Sequence, residues 1–229
     1  MYSLDRVDLL NTIGRGSIDS KESYIRICCG QAYSDMQPRT ISGLSKFKKK
    51  NPGAIESVVA DLAMEIYDYM HSPLRNKNDF DKWHHNKCLF FINEFNNITN
   101  NKVKIEYGKA QKIINVAFKY IYSLDGADNK LDYFEYCHMV LDRYTYSEGF
   151  YKKEIAQRGG KLDSWSNLDY KTYIKIQDNI RNYLVSSQNT VYRDSNNNPL
   201  TAFEAEFYIF AEYNTYSKNI LEPIIAKHP

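Results

Sequence analysis

The stretch EYGKAQKIINVAFKYIY, residues 106–122, carries the clearest structural pattern in this chain. Its apolar residues recur three and four positions apart, as on one face of an α-helix: Ala110, Ile113, Ile114, Ala117 and Ile121. A continuous stripe of this kind predicts a helix that buries one side against neighbouring helices.

The same periodicity recurs on both sides of this stretch. After the Asn51-Pro52-Gly53 break it predicts a helix over about residues 54–70. A further helix follows, with Asp79 or Asp81 as its expected cap. Another is expected over residues 168–187, with Tyr173 among its inward residues.

The last predicted helix begins at a capping box, in which Thr201 is followed three residues later by Glu204. No stretch sustains the alternation of a β-strand. We therefore expect an all-α fold. The expectation is one compact helical domain over residues 1–229, with two lobes of about 1–104 and 105–229 and a cleft between them.

Composition limits the classes of function. Of 229 residues, 43% are hydrophobic and 25% are charged, which is ordinary for a globular protein. A net charge of +2 means that nucleic-acid binding would need a local basic surface. The four cysteines form no CxxC pair, and the chain shows neither a signal peptide nor an apolar run of membrane-spanning length. The expected location is the cytoplasm, without membrane association.

Three lysines of the quoted stretch, Lys109, Lys112 and Lys119, lie beside its apolar stripe. Partial burial of such an ammonium lowers its pKa and yields a nucleophilic amine. The segment HMVLD, residues 138–142, adds Asp142, and a carboxylate can stabilise the positive charge that develops on a sugar when a glycosidic bond breaks. The alternative is an ordinary solvated lysine face.

Residues 105–145 resemble the helix-hairpin-helix DNA glycosylase superfamily, and most closely its archaeal GO (8-oxoguanine) DNA glycosylase branch. In that superfamily a glycine-containing turn leads into a helix with the catalytic lysine, and a later segment ends in the catalytic aspartate. Here Gly108 precedes Lys112, and Val140-Leu141-Asp142 stands where the later segment would be. The resemblance implies that Lys112 attacks C1′ of a flipped nucleotide, while Asp142 activates the lysine or stabilises the oxocarbenium ion. Lys109 remains a rival nucleophile.

The resemblance also implies a partner, which is double-stranded DNA carrying a modified base, and no cofactor. The role would be base excision or defence against phage with modified DNA. A flipped base needs an aromatic platform and amide contacts. The candidates for contact with the base or the DNA are Gly108, Lys109, Gln111, Asn115, His138, Trp165 and Gln177. Each also has an ordinary structural explanation.

Two other interpretations bear on function. The 20 tyrosines would suit a protein interface, and therefore a non-enzymatic helical protein, such as a phage- or mobile-element-encoded inhibitor that binds a host effector. His84 and Cys88 have the spacing of one side of a zinc site, with Cys137 and His138 as the other side. Nothing in the sequence joins the two segments, so no metal is expected. The sequence does not indicate an oligomeric state.

Overall fold

The computed structural model describes residues 21–72, 76–125, 133–157 and 162–213. Within these ranges the chain forms α-helices, short 3-10 and π-helical turns, and a single isolated β-bridge between Arg193 and Pro199. The predicted all-α class is confirmed. The helices are α1 (Lys21–Asp35), α2 (Leu44–Lys50), α3 (Ala54–His71), α4 (Lys77–Ile98), α5 (Tyr107–Asp125), α6 (Tyr170–Val185) and α7 (Ala202–Tyr213).

The chain divides into two compact units, an N-terminal unit (Met1–Cys137) and a C-terminal unit (His138–Pro229). The division falls after Cys137, whereas the sequence predicted lobes that meet near residue 104. The reason is that α5 packs against α1 and α4, so the apolar stripe that opens the predicted second lobe belongs to the core of the first unit. The cleft stays a prediction.

Four helices of the N-terminal unit form a closed ring of contacts. Helix α1 packs on α3 and α5, and α4 packs on the same two helices from the other side. The apolar stripe of α5 is fully buried from Ala110 to Ile121, as predicted. An aromatic cluster fills the space between α3, α4 and α5, and its ring centroids lie 4.7 to 6.3 Å apart: Tyr69, Phe80, Trp83 and Phe118.

The ends of the helices follow local chemistry. Gly53 adopts a φ of 82°, a left-handed conformation that favours glycine, and the predicted helix begins at the next residue. Helix α4 is capped by Asn76, whose Oδ1 accepts from the Asp79 N–H at 2.8 Å, so the expectation of Asp79 or Asp81 as the cap was wrong. With Asn76 as its cap, the helix begins about one turn earlier than a cap at Asp79 or Asp81 would place it.

The described part of the C-terminal unit combines the helices α6 and α7 with irregular backbone. Two π-helical turns, Arg143–Ser147 and Tyr151–Ile155, pack on α7 and α6 respectively. The capping box of α7 is confirmed, since Thr201 N–H donates to Glu204 Oε2 at 2.9 Å and Glu204 N–H donates to Thr201 Oγ1 at 3.2 Å. Residues 138–141 have no regular secondary structure and are buried.

None of the described helices combines the length with the apolar character that crossing a membrane requires.

Candidate functional site

Lys109 lies in the first turn of α5 and is half-buried. Its Nζ donates a hydrogen bond of 2.8 Å to the Thr40 hydroxyl, in the short 3-10 turn Pro38–Thr40 before α2. Burial lowers the pKa of the Lys109 amine, and the nearby positive charge of Lys112 lowers it further. Lys109 is therefore an amine that loses its proton more readily than a solvated lysine does.

Lys112 follows one turn later on the same helix and is also half-buried. The sequence favoured Lys112 over Lys109 because Lys112 stands deeper in the helix. In the structure the desolvated amine is that of Lys109, because the turn that precedes α2 covers the start of α5. Lys112 acts on Lys109 as a neighbouring cation.

Gln111 and Asn115 belong to a buried polar chain that links α5 to α4. The Cys88 thiol lies 3.7 Å from His84 Nδ1, and His84 Nε2 lies 2.9 Å from Asn115 Oδ1. Asn115 Nδ2 donates to Gln111 Oε1 at 2.9 Å, and Gln111 Nε2 donates to the Gly108 carbonyl at 2.8 Å. All four side chains are buried, so this chain of contacts holds α4 to α5.

These contacts change the interpretation of the two amides. Gln111 is fully buried and Asn115 is 1% exposed, so a base edge could reach either amide only after the chain of hydrogen bonds is broken. Gly108 is likewise buried, and its carbonyl is the terminal acceptor of the chain. Bonds within the protein account for the burial of all three, and their contact with a base stays a prediction.

In the C-terminal unit, side chains from α6 and α7 hold the buried non-helical segment 138–141. The Gln177 amide donates to the Met139 carbonyl at 2.7 Å, and its oxygen accepts from the Met139 N–H at 3.2 Å. Glu206 Oε2 accepts from the Val140 N–H at 2.8 Å. Gln177 and Glu206 are buried, so the backbone of this non-helical segment is paired to side chains inside the unit.

Asp142 ends this segment and caps the first π-helical turn. Its Oδ1 accepts from the N–H groups of Tyr144 at 2.8 Å and Thr145 at 3.1 Å. In return the Thr145 hydroxyl accepts from the Asp142 N–H at 3.0 Å, which completes a capping box. Asp142 is 7% exposed, and its Oδ1 is hydrogen-bonded to the backbone of the turn that it caps.

The remaining predicted residues of the C-terminal unit differ in exposure. His138 is 1% exposed, and its Nδ1 shares a hydrogen bond of 2.8 Å with the Tyr173 hydroxyl of α6. Trp165 lies in the 3-10 turn Trp165–Asn167 and is partly exposed. Of the two, Trp165 alone offers ring surface to a ligand, which keeps it a prediction as an aromatic platform.

The predicted nucleophile and carboxylate belong to different units, Lys112 to the N-terminal and Asp142 to the C-terminal unit. Across the described ranges, no group of three or more His, Cys, Asp or Glu side chains is arranged to hold a metal ion. Cys88 lies 3.7 Å from His84 Nδ1, and burial raises the pKa of its thiol.

Sequence reasoning missed two side chains that shape these sites. Thr40 stands far from Lys109 in the chain, and no local pattern marks it as the amine's partner. Glu206 lies among the apolar residues of α7 and was therefore overlooked. A carboxylate at such a position is a signal in itself, because a buried carboxylate needs a polar partner nearby.

No protein-family model, curated protein or solved structure matches this chain. The resemblance to the glycosylase superfamily therefore rests on residues 105–145 alone.

Proposed function

We propose that this protein is a DNA glycosylase that uses a lysine amine of α5 to release a modified base. The observation that carries the proposal is the half-buried Lys109 amine, whose pKa is lowered by burial and by Lys112. Two lysines one turn apart, one of them desolvated, are a recognised means of activating an amine at neutral pH. The resemblance of residues 105–145 supplies the substrate class.

In the proposed reaction the neutral amine attacks C1′ of a nucleotide flipped out of the duplex. The new C1′–N bond forms as the glycosidic bond breaks, and the bonding electron pair leaves with the base, which takes up a proton. The lysine nitrogen first loses one proton; as the C1′–O4′ bond of the sugar ring opens, its second proton passes to O4′, which leaves an imine. Water then hydrolyses the imine, which restores the amine and leaves an abasic sugar.

Lys109 takes the nucleophile's role in this proposal, and Lys112 the role of a charge that keeps Lys109 unprotonated. The sequence favoured the reverse assignment. Desolvation supports Lys109, because an amine that gives up its proton more readily is the better nucleophile near neutral pH. A role for the Asp142 carboxylate at the sugar is implied by the resemblance alone and stays a prediction.

The test is incubation with duplexes that each carry one modified base, followed by mass analysis of the released base. Borohydride added during the reaction should reduce the imine and leave a covalent protein–DNA adduct. Lys109→Gln should abolish the adduct. Lys112→Gln should retain the adduct but form it more slowly near pH 7, because the Lys109 amine regains its proton more easily.

The outcomes separate the assignments. Loss of the adduct only in Lys112→Gln would return the nucleophile's role to Lys112. An undiminished adduct in the Lys109→Gln, Lys112→Gln double variant would remove both lysines from the reaction. If the parent protein releases no base from any duplex of the panel, the glycosylase proposal fails.

A non-enzymatic interaction protein is the second candidate, and one feature favours it. Val185 and Val191 are 69% and 72% exposed on the two sides of the loop after α6. Asn189 closes this loop by donating to the Leu184 carbonyl at 2.7 Å and the Tyr192 carbonyl at 3.0 Å, so both valines stand on a rigid turn. Apolar residues held in this way suit a protein interface. Two results together would favour this function: the parent protein does not bind DNA, and the double variant Val185→Ser, Val191→Ser no longer binds a protein that the parent protein binds.

A further inference from the structure

Helix α2 has two faces of different character. Leu44 is buried, Phe47 and Lys48 are half-buried, and Lys48 pairs with Glu56 of α3 at 2.6 Å. The outward face consists of Ser45 and three exposed lysines at positions 46, 49 and 50. Their spacing of three and four residues places these three amines side by side on one helical face.

A second basic segment leads into α5. Val103 and Ile105 are buried, at 2% and 4% exposure, whereas Lys102 and Lys104 between and beside them are exposed. This alternation is that of an extended chain with one side against the core. Both lysines therefore project outward from the same side of the segment.

The two basic segments lie against each other in the N-terminal unit. The Lys109 amine reaches Thr40 at 2.8 Å. A Cβ placed on Gly43 would lie 3.7 Å from Val103 Cγ2 and 4.0 Å from the Lys102 carbonyl. The turn that starts α2 is thus packed on residues 102–109, and the exposed cations of both segments belong to one surface.

We call this region the basic surface and define it by six exposed side chains: Arg39, Lys46, Lys49, Lys50, Lys102 and Lys104. Among the residues that the structure describes, none of the six forms an ion pair. Other cations of the same unit are paired at close range: Lys48, on the inner side of α2, pairs with Glu56, and Lys77 of α4 pairs with Asp81 at 3.8 Å. Residues 38–50 and 102–112 together carry nine lysines and arginines and a single acidic residue, Glu106.

Unpaired cations of one sign repel one another, and this surface keeps a local charge that the chain's net charge of +2 does not suggest. A polyanion would relieve the repulsion by neutralising several amines at once and releasing its own counterions. The exposed residues of α2 include no apolar side chain, which is what insertion into a lipid surface would need. A nucleic-acid backbone fits this chemistry better than a membrane does.

We propose that the basic surface binds the phosphate backbone of duplex DNA. The choice of duplex DNA as the polyanion rests on the proposed function. The contacts are to phosphates and carry no base specificity, because lysines on flexible stems act as point charges. The surface adjoins the Thr40 turn that holds Lys109, so a strand bound there passes close to the amine.

The test compares two triple variants with equal loss of charge. Lys46→Gln, Lys49→Gln, Lys50→Gln removes the outward face of α2. The control, Lys82→Gln, Lys171→Gln, Lys175→Gln, removes three exposed lysines of α4 and α6. Binding to an unmodified fluorescent duplex is measured by anisotropy at several salt concentrations, and thermal melts establish that both variants fold.

In the first variant the slope of log affinity against log salt should become shallower by up to about 0.9 for each phosphate that the protein no longer neutralises. The salt effect between 50 and 200 mM should then shrink roughly threefold for each such phosphate. The control should match the parent protein. Equal losses in both variants would mean that binding follows net charge, and this would overturn the inference.

Further outcomes separate this inference from the proposed function. If the parent protein releases a base and the α2 variant binds duplex DNA as the parent does, the basic surface is not the backbone site and the glycosylase proposal stands. If no base is released but the α2 variant alone loses duplex binding, the glycosylase proposal fails and the surface stands. Tighter binding of the parent protein to anionic vesicles than to any duplex would overturn the choice of DNA.

Discussion

The two units place their candidate residues in opposite situations. In the C-terminal unit, His138, Asp142 and Gln177 are buried and bonded to neighbouring groups of the same unit. In the N-terminal unit, Lys109 and Lys112 are half-buried at the edge of a helical face, beside a surface of exposed cations. Substitution in the C-terminal unit should therefore affect folding first, whereas substitution of the lysines should affect chemistry or binding first.

The buried polar side chains discussed above also differ between the units in the kind of group to which they are hydrogen-bonded. The chain from His84 to Gln111 joins side chains of two regular helices. Gln177 and Glu206 instead pair with the backbone of the buried non-helical segment, at Met139 and Val140. A side chain can rotate to a new partner, but a buried backbone group has no such freedom. The C-terminal unit depends more on each individual contact.

The largest effect is expected at Gly149, between the two π-helical turns. A Cβ there would lie 1.6 Å from the Tyr144 carbonyl oxygen and 2.6 Å from its carbon, and both atoms are backbone. Gly149→Ala must therefore displace the turn that Asp142 caps. We expect a loss of roughly 4 kcal/mol or more in the free energy of unfolding, at the upper end of single substitutions, measured by urea denaturation.

Gly30→Ala in α1 is the matched control, because no heavy atom lies within 4 Å of the added Cβ. Alanine is the better helix former, so this variant should be stabilised by up to about 1 kcal/mol. If Gly149→Ala were as stable as the parent protein, the C-terminal unit would tolerate substitution as well as the N-terminal unit does. That result would contradict the difference proposed between the two units.

The next effect is expected from Gln177→Ala. It leaves both the N–H and the carbonyl of Met139 without their amide partner. At about 1 to 3 kcal/mol for each of the two unsatisfied buried groups, the loss should be roughly 2 to 6 kcal/mol in denaturant unfolding. Asn115→Ala in the N-terminal unit should cost less, since the groups it leaves are side chains. Equal costs would contradict the distinction between backbone and side-chain pairing.

Asp142 offers a smaller and more selective test. Asp142→Ala removes the cap and should cost about 1 kcal/mol, whereas Asp142→Asn keeps an oxygen that accepts from Tyr144 and Thr145 and should leave stability nearly unchanged. Base release by Asp142→Asn should nevertheless fall sharply if the charge acts at the sugar. Normal base release by a stable Asp142→Asn protein would reduce Asp142 to a capping residue.

The regular part of the fold was largely predictable. The stripe from Ala110 to Ile121, the capping box at Thr201 and the glycine turn before α3 each depend on residues within one or two helical turns. The boundary between the units was not predictable, because it depends on which helices α5 packs against. The cap of α4 was misplaced by local ambiguity, since Asn76, Asp79 and Asp81 all suit a helix start.

The candidate site was less predictable than the fold. Sequence reasoning found Lys109 and Lys112, because their place beside an apolar stripe is a local property. It also chose Gln111, Asn115 and Gln177 as base-contacting amides, since amides on a predicted helix look alike whether they face solvent or a neighbouring strand. Only tertiary packing separates these cases, and it places all three amides inside.

The smallest expected effect concerns the two lysines, and it tests the N-terminal side of the contrast. Lys112→Met keeps the apolar stem but removes the charge, so the pKa of Lys109 should rise, while Lys112→Arg should leave it lowered. Stability should change by no more than about 0.5 kcal/mol, as for other residues at a surface.

The measurement is the pH dependence with which Lys109 is reductively alkylated by a small aldehyde, followed by mass spectrometry of the modified peptide. A lowered pKa means that the folded state releases the proton first, so reaction in the parent protein should begin at lower pH than for a solvated lysine. In Lys112→Met the profile should move to higher pH, though modestly, because burial is the larger cause and persists. An unmoved profile would mean that Lys109 is tuned by burial alone and that Lys112 takes no part in activating it.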